Sequence, residues 1–113
     1  MRWYADVQHV ELVAAKSLGA TDLVNPKDLD GPLNEKLREM TDGGLDYAIV
    51  SVGNIDAMSE AVRSCHPSWG QTVIVGLTPA GSKLELEAMD IVNGRKVCGS
   101  FMGGTATLDH YCL

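Results

Sequence analysis

From one end of the chain to the other, apolar runs of strand length alternate with segments whose apolar residues recur every three or four positions. That alternation is the pattern of a parallel α/β sheet. Trp3-Tyr4-Ala5 predicts a strand ending at Asp6. In the helix that follows, Val10, Val13, Ala14 and Leu18 share a face and Gly19 ends the winding. Leu23-Val24 predicts a short second strand closed by Asn25-Pro26. After Gly31-Pro32, with Pro32 suited to a first helical position, Leu33, Leu37 and Met40 recur at helical spacing until Asp42-Gly43-Gly44 breaks the pattern. Leu45 to Val52 carries the strongest strand signal: Tyr47-Ala48-Ile49-Val50 is apolar on both faces, which predicts a strand in the middle of the sheet. Asn54 or Asp56 can cap the next helix, whose stripe is Met58, Ala61, Val62 and Cys65, and Pro67-Ser68-Trp69-Gly70 turns the chain back. Thr72 to Leu77 predicts another buried strand and Thr78 to Ser82 a surface loop. Glu87 to Asn93 predicts a short helix ended by Gly94, and Val97 to Met102 a last strand before Gly103-Gly104. Residues 105–113 show no period, which predicts an irregular tail.

Composition narrows the function classes. Nine Lys and Arg stand against fifteen Asp and Glu, a formal charge of −6, and the cations are scattered, so nothing marks a nucleic-acid surface. The longest nearly apolar run, Val73 to Ala80, contains Gly76, Thr78 and Pro79 and is far shorter than the ~18 residues a membrane span requires. The N-terminal residues hold no apolar segment of signal-peptide length, which predicts a cytoplasmic protein with free thiols. Cys65, Cys98 and Cys112 match no zinc-ligand spacing, and no metal site is expected. Cys65 and His66 adjoin, but neighbours in a helix point different ways, so a buried Cys beside a capping or exposed His is the favoured reading over a thiol and imidazole pair.

Open parallel sheets bind ligands outside the carboxyl ends of their strands. The residues to watch are therefore Asp6, Val52-Gly53-Asn54, Gly76-Leu77-Thr78 and Phe101-Met102-Gly103. An acid after a strand either caps the next helix or, in a dinucleotide fold, accepts hydrogen bonds from ribose hydroxyls, and Asp6 suits both roles. The chain has no G-x-G-x-x-G, so the usual pyrophosphate cradle is missing. It also has no G-x-S-x-G, Walker loop or H-E-x-x-H, which removes the common hydrolase, nucleotide triphosphatase and metalloprotease readings.

The stretch from Ala15-Lys16-Ser17-Leu18-Gly19-Ala20-Thr21-Asp22 to Val24-Asn25-Pro26-Lys27-Asp28 is followed by Glu39-Met40-Thr41-Asp42-Gly43-Gly44-Leu45-Asp46-Tyr47. Further on come Val52-Gly53-Asn54, Cys65-His66 with Trp69-Gly70, Val73-Ile74-Val75-Gly76-Leu77, and Asn93-Gly94-Arg95 leading to Gly99-Ser100-Phe101 and Gly103-Gly104. This ordered series resembles the zinc-containing medium-chain alcohol dehydrogenases, of the plant and animal alcohol dehydrogenase or glutathione-dependent formaldehyde dehydrogenase type. The resemblance implies a partial Rossmann-like, doubly wound parallel sheet over residues 1–104 that lacks the first strand and glycine loop of a dinucleotide-binding domain. It also implies NAD as cofactor, with zinc confined to the full-length family. Asp6 falls on the family's ribose-binding acid. Val52, Gly53 and Asn54 fall on the adenine and ribose pocket, Val75, Gly76 and Leu77 beside the nicotinamide, and Ser100, Phe101 and Met102 on the backbone that holds its carboxamide. No catalytic or metal-ligating residue of the family is matched. Glu11 departs from the pattern, standing where many members have a basic residue near the ribose.

Without the missing strand, the strands would be ordered 2-1-gap-3-4-5, or 2-1-3-4-5 if the gap closes. One helix layer would lose a member and expose apolar surface, so self-association is expected. Two functions are consistent with these readings. One is a fragment of an NAD-dependent alcohol dehydrogenase that is not catalytic alone and could associate with a second copy through the last strand. The other is a non-catalytic interaction module that pairs through an exposed sheet edge.

Overall fold

The computed structural model describes residues 3–6 and 8–101. The chain divides into two compact units, one up to Leu33 and one from Asn34 onward. In the first, strand β1 (Trp3–Ala5) pairs in parallel with β2 (Asp22–Val24), and helix α1 (His9–Ser17) connects them. The helix ends as the sequence predicts. Gly19 takes φ 100°, its N–H donates to Lys16 O at 3.1 Å, and Ala20 N donates to Ala15 O at 3.0 Å, which closes a Schellman turn. The face that Val10, Val13 and Leu18 share is left exposed, and Leu12 is the buried residue of α1. The helix is apolar on two sides, and a two-stranded ladder is wide enough to cover only one. Asn25 Oδ1 accepts from Lys27 N at 3.0 Å and starts a single 3₁₀ turn at Pro26–Asp28.

The second unit is a three-stranded parallel sheet with its crossover helices. Its elements are α2 (Leu33–Met40), β3 (Tyr47–Val50), α3 (Ile55–Ser64), β4 (Gln71–Ile74), α4 (Ala88–Val92) and β5 (Lys96–Gly99), and the strand order is β3-β4-β5. The register pairs Ala48 with Thr72 and Val97, and Val50 with Ile74 and Gly99. That face packs under α3, whose Met58, Val62 and Cys65 are buried along with Val50 and Thr72. Each such aliphatic burial contributes about 1.5–3 kcal/mol. Asn54 caps α3, its Oδ1 accepting from Ala57 N at 2.9 Å, so the Asn54 alternative is the one realised.

The expectation that β3 lies mid-sheet is also corrected. It is an edge strand of the three, and β4 is the central one. Tyr47 and Ile49 are 73% and 74% exposed on the face away from α3, where Lys96 and Cys98 are exposed as well. The apolar run therefore records a strand with two coverable faces, of which this chain covers one. Among the described residues β1 and β3 share no ladder, so the order 2-1-3-4-5 is not formed; the strands pair as β1-β2 and as β3-β4-β5.

Candidate functional site at the carboxyl edge of the sheet

In the second unit the chain leaves each strand through one of the predicted segments. The ladder continues past the strand ends: Val50 O accepts from both Val75 N (2.9 Å) and Gly76 N (3.0 Å), and Ile74 O accepts from Ser100 N at 2.9 Å. The segments 52–54, 75–77 and 100–101 are thereby drawn to one edge.

The two glycines make the approach possible. A side-chain carbon at Gly76 would overlap the Val52 carbonyl and lie 2.8 Å from Gly53 N, and one at Gly53 would overlap Leu77 O and lie 2.8 Å from the Leu77 carbonyl carbon. The strand ends after β3 and β4 therefore meet backbone to backbone, which no other residue permits. Flanking them, Val52, Val75, Leu77 and Phe101 are exposed. The result is a ledge of bare backbone bordered by apolar side chains, a surface suited to a flat ring held by main-chain polar groups.

Asn54 stands at this edge with its side-chain oxygen committed to the α3 cap. Asp6 belongs to the first unit, at the carboxyl end of β1. Its backbone N donates to Val24 O at 3.2 Å and its Oδ1 accepts from Gln8 N at 2.9 Å, so it does tie the turn into α1. Met102, the Gly103-Gly104 pair and the tail of residues 105–113 lie outside the described residues.

The Cys65 and His66 neighbours do not form a nucleophilic pair. Cys65 is fully buried, its Sγ 3.3 Å from Thr72 Oγ1, and burial pushes the thiol pKa up, which keeps it protonated and unreactive. The His66 ring stacks on Trp69 with centroids 3.3 Å apart, and its Nδ1 accepts from Ser68 N at 3.2 Å. Trp69 Nε1 in turn donates to Asp46 Oδ1 at 2.8 Å. These contacts fix the turn between α3 and β4.

A residue that periodicity did not single out is Arg95, buried immediately before β5. Its Nε donates to Cys65 O and its Nη2 to Arg63 O, both at 3.2 Å, and its Nη1 pairs with Asp90. A charged residue directly after a helix-ending glycine was the only local signal of this anchor.

The described residues contain no group of three or more His, Cys, Asp or Glu able to hold a metal ion, so they do not fit a catalytic zinc. The backbone ledge, bare and bordered by exposed apolar side chains, has the shape to take a flat heteroaromatic ring. Among the described residues no helix is long and apolar enough to cross a membrane.

Comparison with known proteins agrees with this geometry. The family model for zinc-binding dehydrogenases matches residues 4–111. Alcohol dehydrogenase-like 3 of Arabidopsis thaliana is 45% identical over 89 residues, covering 79% of this chain and 23% of that protein. Among solved structures, benzyl alcohol dehydrogenase from Acinetobacter calcoaceticus aligns with a TM-score of 0.81 at 27% identity, covering 89% of this chain and 27% of that one. A zinc-binding dehydrogenase from Sinorhizobium meliloti 1021 bound to NADP aligns with a TM-score of 0.77 at 27% identity, covering 88% and 29%. The chain thus spans about a quarter of the length of the relatives it matches. The match over residues 4–111 and these relatives place the chain in the zinc-binding dehydrogenase family, as part of its nicotinamide-dinucleotide-binding domain.

Proposed function

We propose that the chain is the cofactor-binding portion of an NAD-dependent, zinc-containing alcohol dehydrogenase acting on primary or secondary alcohols or the corresponding aldehydes, located in the cytosol and without catalysis of its own. The observation that carries this reading is the carboxyl-edge ledge, where Gly53 and Gly76 bring two strand ends into backbone contact between exposed Val52, Leu77 and Phe101. On this reading Val52, Gly53 and Asn54 border the adenine and its ribose. Val75, Gly76 and Leu77 lie under the nicotinamide, and the backbone of Ser100, Phe101 and Met102 holds its carboxamide. The Asp6 carboxylate accepts from the adenosine ribose hydroxyls, and its charge repels the extra phosphate of NADP. The cofactor, when bound, supplies the hydride acceptor; the chain's own contribution is to orient it. No step through zinc is assigned, because the described residues do not fit the metal.

Thermal unfolding with increasing NAD tests the reading, since a ligand that binds only the folded state raises Tm with the logarithm of its concentration. A rising Tm is expected, with a smaller rise for NADP. Asp6→Asn keeps the acceptor for Gln8 N but removes the charge, so it should abolish the preference for NAD over NADP. A Tm unmoved by millimolar NAD would refute cofactor binding by this chain.

A second reading, a non-catalytic interaction module, is favoured by one observation: β3 is an edge strand whose Tyr47 and Ile49 are exposed. It too supports pairing with another chain, whereas the family reading places association between copies at β5.

A further inference from the structure

At the amino end of the same sheet, opposite the carboxyl-edge ledge, a cleft of about 280 Å³ is lined by Asn34, Arg38, Arg63, Pro67, Glu87, Asp90 and Arg95. Three arginines face two carboxylates there, so the cleft is locally positive in a chain whose formal charge is −6. Arg95 and Asp90 are spent on each other, and Arg95 also serves the Cys65 and Arg63 carbonyls. Arg38 and Arg63 are in a different situation. Both are exposed, and among the described residues neither guanidinium has an ion-pair or hydrogen-bond partner.

The usual work of an arginine in the last turn of a helix is to bond the terminal carbonyls. Here that work is done by other groups. At the end of α2, Leu37 O accepts from Thr41 Oγ1 and Arg38 O from Gly43 N; at the end of α3, Glu60 O accepts from Ser64 Oγ, and Arg63 O and Cys65 O from Arg95. Glu60, the nearest acid one turn before Arg63, accepts instead from Asn34 N and Nδ2 at 3.0 and 3.2 Å. Two guanidinium forks from two helices are thus left facing one cleft with their donors unused.

We infer that this cleft is a binding site for a small carboxylate monoanion, held by Arg38 and Arg63. A guanidinium fork matches the planar, two-oxygen carboxylate. Glu87 at the rim sets the charge: it leaves room for one negative charge and repels a second, so a carboxylate suits the cleft better than a phosphate dianion.

The test is a titration of the full chain with acetate, and separately with inorganic phosphate at pH 8, at constant ionic strength, following the arginine Nε–H resonances by NMR. Saturable shifts of Arg38 and Arg63 with acetate are expected, with weaker shifts from phosphate. Arg63→Gln or Arg38→Gln should weaken acetate binding about tenfold, the size of one lost charge-assisted hydrogen bond, and Glu87→Gln should strengthen both anions, phosphate more. Both arginines are exposed, so their replacement leaves the fold intact for the measurement. Linear, non-saturating shifts would overturn the inference, as would acetate affinity unchanged in Arg63→Gln and Arg38→Gln. Tighter binding of phosphate than of acetate would overturn its assignment to a carboxylate.

Discussion

At the scale of single residues, the candidate edge rests on the absence of side chains. Gly76→Ala would push a methyl into the Val52 carbonyl, a backbone atom that cannot rotate away. A loss of about 1–3 kcal/mol, the range for forced overpacking, is expected in urea unfolding, together with loss of any NAD-induced rise in Tm. Cys65 makes a second residue-scale prediction. Its folded thiol pKa is raised by burial, so above about pH 8.5, the ordinary value in the unfolded chain, the unfolded state loses this proton while the native state keeps it. The native state then binds more protons, and stability present below that pH is lost as pH rises toward the folded pKa. The urea midpoint should therefore fall on the alkaline side in the wild type, and Cys65→Ala should flatten that fall.

Among the elements, caps behaved as local chemistry dictates, whereas the burial of apolar stripes depended on partners. Asn54 starts α3 and Gly19 ends α1 because both act within a few residues of themselves. The α3 stripe of Met58, Val62 and Cys65 is buried as its spacing requires, while the Val10, Val13 and Leu18 stripe of α1 is not. Periodicity reports which side of a helix is apolar, but what covers that side is settled elsewhere in the chain. The same holds for β3, whose four consecutive apolar residues read as a central strand and became an edge. An apolar parallel edge is a template for further pairing. Ile49→Lys, on the bare face and 74% exposed, should leave the unfolding free energy within about 0.5 kcal/mol of wild type. It should also lower the sedimentation coefficient at high concentration toward that of a monomer. An unchanged concentration dependence would assign association to another surface, β5 being the one the family reading favours.

The whole molecule is two units of unequal support. A two-stranded ladder is marginal by itself, whereas three strands under a capped helix can hold a core. Native-state hydrogen exchange should accordingly show the slowest amides on β4, at Thr72 and Val73, and faster exchange throughout β1 and β2. Protection of β1 equal to that of β4 would contradict this ordering. At this scale too, the chain spans about a quarter of its relatives, and the second unit presents the carboxyl-edge ledge by itself.

What the sequence determined by itself was local: the alternation of strands and helices, the Gly19 stop of α1, a cap for α3 at Asn54 or Asp56, the α3 stripe, and the segments that leave the strand ends. These follow from hydrogen bonds and spacings that close within one or two turns. Tertiary structure decided which strand is central, which apolar faces stay bare, that Gly53 and Gly76 meet each other's neighbouring backbone, and that Arg95 ties the end of α3 to α4 while Arg38 and Arg63 remain unused. Each of these depends on pairing between residues far apart in the chain, and the geometry of such a pair exists only after the sheet has formed.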